Sequence, residues 1–558
     1  MTALAAGVLG PVPARAQSAD QQINAIQRQI QQLQRELLHM KRDLGARDAA
    51  VRAAQADANR AREEAQQARQ AAEARPVNPF PMPPPQPTPG PGIVSGFIAP
   101  SGPPASLGSS SPAIITQTEP KPIFRVGNLT VSLGGFAALE GLVRSRNEVT
   151  SIGSNFNTGI PFNNVPAAHQ SEFRFTSQQS RLAGLVEGQP DAATHVAGYV
   201  ETDLLGAAPT ANSNESNSYN VRLRQFYGTY DRADWNFHLL FGQAWSLATL
   251  YKVGLVPRQE NIPLTIDAQY VPGFTWSRQP QIRLSEDFDD HKLWAALSFE
   301  SAQTTYNTGP NGSPIPGATV TTTTPGIAQL TPGQAYSDDI APDMVVKLAA
   351  DPGYGHYELF GLGRLMRTRV STLGSGSNSA AFGGGAGGGF ILPLLGNAVQ
   401  LQGSALAGEG IGRYGSAQLP DATIGRNGEP VPIPEAMALL GLVGHPNKAI
   451  DLYAYLGAEE ESKKAFALAG KGYGYGSPLY SNAGCQIELS TLPCVGNTSG
   501  VVQGTIGEWW RWLHGEYGTM MLGTQYSYTR RAVFKGVGGS PAANENIFML
   551  SMRYYPFQ

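Results

Sequence analysis

Most of this chain repeats with a period of two residues. From Phe124 onward, segments of about ten residues alternate apolar and polar side chains, and clusters of Gly, Asn, Asp or Pro bound each segment. Successive side chains of a strand point to opposite faces of a sheet, so the alternation predicts strands with one apolar and one polar face. The sequence has no run of roughly 18 apolar residues, which excludes a helical membrane protein.

The polar faces of these predicted strands carry charges. Residues 196–204 place Val196, Val200 and Leu204 on one face, opposite Tyr199, Glu201 and Asp203. Residues 221–229 place Leu223 and Tyr227 on one face, opposite Arg222 and Arg224. Only 15% of the chain is charged, so a large secreted β protein and a transmembrane β-barrel are the two classes that fit.

The lengths of the connections favour the barrel. Short turns alternate with six long candidate loops, at 145–172, 205–219, 246–275, 301–341, 409–435 and 477–503. Porins have this asymmetry, with tight turns in the periplasm and long loops outside the cell. The sequence therefore predicts an all-β transmembrane barrel over residues 123–558, closed by the aromatic-rich segment 546–558.

The first part of the chain has a different period. Residues 20–75 keep a heptad spacing, which predicts an α-helical coiled coil, and its a positions include Ile23, Ile30, Leu37, Leu44 and Val51. A 3.5-residue period held this long requires a partner helix, which we expect to be another copy of the chain, and Ile at a and d favours a trimer over a dimer. Residues 76–122 are a Pro/Gly/Ser-rich linker.

The N-terminus and the cysteines both indicate export. We expect residues 1–16 to be a truncated signal peptide, because a basic segment is missing and Ala14-Arg15-Ala16 fits a cleavage site; a flexible apolar terminus is the alternative. Cys485 and Cys494 are the two cysteines of the chain, so we expect a disulfide, with two unconnected thiols as the alternative.

The chain resembles a known family in this order of segments and in six short motifs. The motifs are Ser180–Gly184, Val221–Gly228, Phe241–Ser246, Arg278–Arg283, Gly408–Tyr414 and Arg553–Phe557. The coiled coil, linker and barrel are similar to those of the DcaP-like trimeric outer-membrane porins. The resemblance implies about 16 antiparallel strands, a homotrimer in outer-membrane lipid, a periplasmic coiled coil and passive uptake of small, often anionic, solutes.

Candidate pore-lining residues cluster in the first third of the barrel. They are five arginines and two carboxylates on neighbouring strands: Arg181, Arg222, Arg224, Arg278, Arg283, Glu201 and Asp203. Such a basic ladder would give a carboxylate solute bidentate contacts. Alternatively, these groups pair with one another and only satisfy the wall. The loop 246–275 is our candidate for a segment folded into the pore, and an outer loop gripping a neighbouring protomer is the alternative.

Residues 124–558 hold 28 basic and 34 acidic side chains, so any anion preference must come from local placement. We expect many acids in loops: Glu286, Asp287, Asp289, Asp290, Glu459, Glu460 and Glu461. We expect nine aromatic side chains in the girdles at the membrane surfaces: Tyr473, Tyr475, Trp509, Trp510, Trp512, Tyr526, Tyr528, Tyr554 and Tyr555.

Other functions lack a supporting motif. The net charge of −3 gives no footprint for a nucleic-acid partner, and no catalytic constellation, metal-ligand pattern or cofactor motif occurs, so we expect no enzyme. The sequence predicts an outer-membrane porin for small hydrophilic, carboxylate-type solutes. A sugar-type porin and a surface structural or adhesin protein with a barrel anchor are the alternatives.

Overall fold

The described residues form a closed antiparallel β-barrel. The computed structural model describes residues 121–206, 219–325, 335–396 and 398–557; the predicted signal peptide, coiled coil and nearly all of the predicted linker lie outside these ranges. Sixteen strand positions make the wall, which agrees with the predicted strand number and class. Within the described ranges, no helix is both long and apolar enough to cross a membrane.

The strands of the wall are β2–β9, β13–β16, β19, β20 and β23–β25, and the two segments β3 and β4 share the second position. Their bounds are β2 Leu129–Arg144, β3 Glu172–Thr176, β4 Arg181–Gly188, β5 Thr194–Gly206, β6 Asn220–Arg232, β7 Phe237–Trp245, β8 Arg278–Phe288, β9 Leu293–Glu300, β13 Asp343–Ala350, β14 His356–Thr372, β15 Ser375–Leu394, β16 Val399–Glu409, β19 Pro434–Asn447, β20 Ile450–Glu461, β23 Thr498–Gly515, β24 Gly518–Val533 and β25 Ala542–Tyr555.

Short elements lie outside the wall or extend it. They are β1 Lys121–Val126, β10 Thr319–Thr321, β11 Thr323–Pro325, β12 Ala335–Ser337, β17 Ala422–Ile424, β18 Pro430–Pro432, β21 Lys464–Leu468, β22 Lys471–Tyr475 and the 3₁₀ turns Pro166–His169 and Gly412–Tyr414. β1 forms a hairpin with β2, and β10 lies beside the outer part of β14. The other short strands form three separate hairpins within the loops.

The barrel closes where its last wall strand meets its first. β25 pairs with β2 from Ala137↔Tyr554 to Arg144↔Ile547, so neither strand is left with a free edge along that stretch. At one end of the barrel, seven connections of two to five residues join the strands; at the other end most connections are long. We call these the short-turn end and the long-loop end. The sixth predicted long loop, 477–503, is displaced: it spans 462–497 and includes the β21–β22 hairpin.

Apolar side chains point out of the barrel and polar ones point in. On β5, Glu201 and Asp203 are buried while Val200 is exposed, as predicted. On β25, Phe548, Leu550, Met552 and Tyr554 are exposed, whereas Ile547, Met549 and Tyr555 are buried. The outward set is the apolar band that a lipid bilayer requires.

The prediction for Tyr227 is wrong. A register shift places Glu201 opposite Gln225 and Thr202 opposite Leu223, so β6 carries one extra residue there. Beyond this bulge the two faces of β6 exchange, and Tyr227 points inward with Arg224 while Phe226 points outward. Four of the predicted girdle residues are buried instead: Trp509 and Tyr555 point inward from the wall, and Tyr473 and Tyr475 lie on the loop strand β22.

The exposed band on β25 gives a test of the membrane fold. We expect Leu550→Arg to lower the free energy of unfolding from bilayers by about 2–4 kcal/mol, because it places a guanidinium in the middle of the apolar band. The matched control is Asn544→Arg, on the same strand near the long-loop end, which should cost at most about 1 kcal/mol. Denaturant titration in liposomes measures both; equal losses would contradict this placement of the membrane.

Candidate functional site

A long connection fills part of the barrel interior. Residues 246–277, between β7 and β8, contact inward-facing side chains all around the wall, and we call this segment the inner loop. Several of its apolar side chains are fully buried: Leu247, Tyr251, Ile266 and Val271. Our candidate for a pore-folded segment, residues 246–275, therefore lies inside the barrel.

Far-wall side chains hold the backbone of the inner loop. Tyr455, Trp509 and Gln525 lie on β20, β23 and β24, about half a circumference away from β7 and β8. Their hydrogen bonds are Leu264 N to Tyr455 OH (3.1 Å), Trp509 Nε1 to Leu264 O (2.8 Å) and Ile266 N to Gln525 Oε1 (2.6 Å). The inner loop thus crosses the lumen and is anchored on both sides of it.

One part of the inner loop lies so close to the wall that both the loop and the wall have a glycine at the contact. Gly273 has φ of 88°, and its amide donates to Glu459 Oε1 at 2.6 Å. A Cβ on Gly273 would overlap the carbonyl oxygen of Ala438, and a Cβ on Gly457 would overlap that of Pro272. The small residues set how far the loop can approach β19 and β20.

Another part of the inner loop reaches the short-turn end. The amide of Gly254 donates to Asp351 Oδ2 at 2.8 Å, and Asp351 lies in the turn between β13 and β14. Nearby, Lys347 Nζ donates to the carbonyl of Thr249 at 2.8 Å. The inner loop therefore narrows the lumen over much of its depth.

Three of the predicted pore residues form ion pairs with the two predicted carboxylates. Arg222 makes a bidentate contact with Asp203, at 3.0 and 2.7 Å. Arg224 bridges both carboxylates, with 3.0 Å from Nη1 to Asp203 Oδ2 and a hydrogen bond from Nε to Glu201. Arg181 lies 3.8 Å from Glu201. In this part of the predicted basic ladder, the arginines and carboxylates therefore pair with one another, as the alternative interpretation expected.

The other two predicted arginines have no such partner. Among the described residues, no carboxylate lies within ion-pair distance of Arg278, which stacks on the ring of Trp245 at 4.5 Å, and its buried Nη1 has no hydrogen-bond acceptor. Arg283 donates to Tyr251 OH, to the carbonyl of Trp245 and to Gln281, all of them neutral acceptors. The seven predicted groups together carry five positive and two negative charges.

A cavity of about 40 Å³ lies between this cluster and the inner loop. Its charged lining is Arg181, Arg224, Arg258, Arg553, Glu201, Glu260 and Asp267. Tyr270 of the inner loop borders the same space, and its hydroxyl accepts from Arg224 at 3.3 Å. Burial alone would raise the pKa of Tyr270, but Arg224, Arg181 and Arg278 outweigh burial and lower the pKa to about 8. The electrostatic potential at the Tyr270 hydroxyl is therefore positive.

Arg553 belongs to this site and was missed from the sequence. Its Nη2 lies 3.3 Å from Glu140 and 2.9 Å from Gln179, and its guanidinium stacks on Trp509 at 4.5 Å. The signal was present, because Glu545, Ser551 and Arg553 are the polar residues at the inward positions of β25.

Several acids predicted in loops lie on strands instead. Glu286 and Asp287 belong to β8, while Glu459, Glu460 and Glu461 end β20. Asp287, Glu459 and Glu461 point inward and are buried, so they contribute to the charge of the lumen. Consecutive acidic residues show no apolar–polar alternation in the sequence, although alternate side chains of a strand still point into the barrel.

The predicted disulfide is present, and Cys485 and Cys494 join the two sides of the loop 462–497. In the part of the chain with described coordinates, no group of three or more His, Cys, Asp or Glu side chains is arranged to hold a metal ion.

A comparison with a solved structure supports the fold. The barrel is similar to the outer membrane channel DcaP of Acinetobacter baumannii, with a TM-score of 0.55 and 16% identity, covering 78% of this chain and 99% of that one. It also matches Pseudomonas putida OprB (TM-score 0.41, 8% identity, 76% and 94% covered) and Salmonella typhi OmpF (0.39, 7%, 78% and 100%). No family model and no curated protein matches the sequence. The likeness to DcaP confirms the fold that the family resemblance implied.

The close approach of Gly457 to the inner loop gives a test of the constriction. We expect Gly457→Ala to displace residues 271–273 from the wall and to change single-channel conductance by roughly a quarter or more, because the added methyl overlaps a loop carbonyl. Gly504→Ala on the neighbouring strand has open space around its Cβ and is the control. Planar-bilayer recording measures both, and identical conductance in the two variants would argue against a wall contact that sets the pore.

Proposed function

We propose that this protein is an outer-membrane porin through which small hydrophilic, carboxylate-type anions diffuse passively. The support is a closed barrel with a polar, charged lumen, a fold similar to that of an outer membrane channel, and an inner loop that constricts the lumen. A passive channel discriminates by the width and the charge of such a constriction.

The observation that carries the anion preference is the unpaired positive charge beside the inner loop. Among the described residues, no carboxylate lies within ion-pair distance of Arg278 or Arg283, whereas Glu201 and Asp203 are each already paired with arginine. A carboxylate solute would find a guanidinium donor at Arg278 without displacing an internal ion pair, while the buried Arg283 adds positive potential. Guanidinium binds carboxylate in a planar, bidentate manner, so this residue type suits that solute class.

The assembly that we propose is a homotrimer in outer-membrane lipid. Its support is the heptad of residues 20–75, whose Ile-rich a and d positions favour three strands. We place this coiled coil in the periplasm, which requires the short-turn end of the barrel to face the same side. Cross-linking of the intact protein in outer membranes would detect the trimer.

The anion preference is tested by removing one unpaired charge. We expect Arg278→Gln to lower the anion-over-cation permeability ratio about two- to threefold, because one positive charge leaves the constriction and no carboxylate loses its partner. Reversal potentials across a KCl gradient in planar bilayers measure the ratio.

The control for this experiment is Arg530→Gln. Arg530 is exposed on the outward face of β24, so its loss changes the net charge equally without touching the lumen. An equal change in both variants would assign the effect to overall charge, and purified wild-type protein without stepwise conductance would refute the channel itself.

A further inference from the structure

Histidines are concentrated at one end of the barrel. Of the seven histidines among the described residues, six lie at the short-turn end: His195, His238, His291, His356, His445 and His514. The seventh, His169, lies in a loop at the opposite end. Neither the basic cluster nor the inner loop explains this distribution.

Three of these histidines alternate with three carboxylates along adjacent strands, one group per strand or turn. In order around the rim the groups are Glu187, His195, Asp231, His238, Asp287 and His291, on β4, β5, β6, β7, β8 and the following turn. We call this row the rim ladder. The successive N···O distances are 3.7, 3.3, 2.8, 2.9 and 2.7 Å.

The rim ladder faces the lumen. Its five strand residues occupy the inward positions of their strands, which also hold the buried side chains Leu185, Tyr199, Thr229, Leu240 and Ser285. The side chains of His195, His238 and His291 are 43%, 26% and 41% exposed, so water reaches them. His356 and His445, at the same rim, are buried against Asp351, Glu358 and Asp451.

The charge of the rim ladder depends on protonation. Its three carboxylates give −3 when the histidines are neutral, and three protonated imidazoles bring the total to zero. Imidazole ordinarily changes its charge between about pH 5 and 8, a range in which carboxylates stay ionised. Every imidazole lies beside at least one carboxylate, and the ring of Trp294 stacks on both His238 and His291.

A cation of the inner loop reaches the ladder at its first member. Arg258 of that loop approaches a ladder carboxylate, with 4.0 Å between its Nη2 and Glu187 Oε1. The same Glu187 oxygen is 3.7 Å from His195 Nε2. Protonation of His195 therefore competes with Arg258 for one carboxylate, which couples the ladder to the segment that narrows the lumen.

We propose that the rim ladder is a pH-dependent electrostatic filter at the short-turn mouth of the pore. At high pH the mouth is negative and favours cations; at low pH it is neutral and lets the basic constriction set an anion preference. This inference rests on the proposed channel function and adds a second, titratable element to it.

The test compares ion selectivity at two pH values. Reversal potentials across a KCl gradient are recorded at pH 8.5 and pH 5.0 for the full-length protein. We expect the cation-over-anion permeability ratio to be about threefold higher at pH 8.5, since three charges at the mouth act on each passing ion through screened water. We expect the triple variant H195Q/H238Q/H291Q to lose most of this change.

His514→Gln is the matched control. His514 lies at the same rim but bonds to the hydroxyl of Thr519 at 2.8 Å rather than to a carboxylate, so the variant should keep the full pH response. Heat-dependent gel migration verifies that each variant is folded. A pH-independent ratio in a conducting wild type, or an unchanged response in the triple variant, overturns the filter alone. A protein without conductance overturns the filter together with the channel.

Discussion

The backbone of a lipid-spanning sheet must satisfy all of its own hydrogen bonds, and the rest of this structure depends on that constraint. Hydrocarbon offers no partner for a free N–H or C=O group, so a sheet in a bilayer has to close. The pairing of β25 with β2 achieves this closure. Closure then separates the two faces of every strand, which sends apolar side chains to lipid and leaves the charges to the interior.

A narrow interior full of charges needs internal partners. Many charged side chains of the lumen form ion pairs with one another. Examples are Arg364 with Asp343 and Asp421, and Lys347 with Glu358. Such pairs satisfy the wall and leave little field for a solute. The arginines at Arg278 and Arg283 differ, since their partners are aromatic rings and neutral oxygens. Within the described ranges, Arg278 therefore keeps an N–H donor without an acceptor.

The sequence was sufficient for the fold class, the loop inside the barrel and the inward position of six of the seven pore candidates, because each depends on period-two alternation or on loop length. Arg278 differs, because it begins β8 five residues before Arg283 and so has the parity of the exposed face. It was insufficient wherever the period breaks. The bulge in β6 turned Tyr227 inward, and no local feature of residues 221–229 marks the extra residue. Trp509 was assigned to the membrane surface because aromatic residues occupy both faces of β23, and only the strand register decides which ones meet the lumen. The sequence also left undecided whether Arg222 and Arg224 form ion pairs, because that pairing depends on the register of two strands.

The register also explains how a barrel with more acids than bases can have a basic constriction. Arg224 lies on β6, the fourth position of the wall, and Glu459 lies on β20, the thirteenth, so the two stand on nearly opposite sides. Glu435 and Glu461 are directly opposed on neighbouring strands beside Glu459, which places three carboxyl groups on that wall. The inner loop touches both walls within four residues, through Tyr270 to Arg224 and through Gly273 to Glu459. A solute passing this loop therefore meets guanidinium groups on one side and carboxyl groups on the other, so its orientation depends on where its own charges lie and not only on their sum.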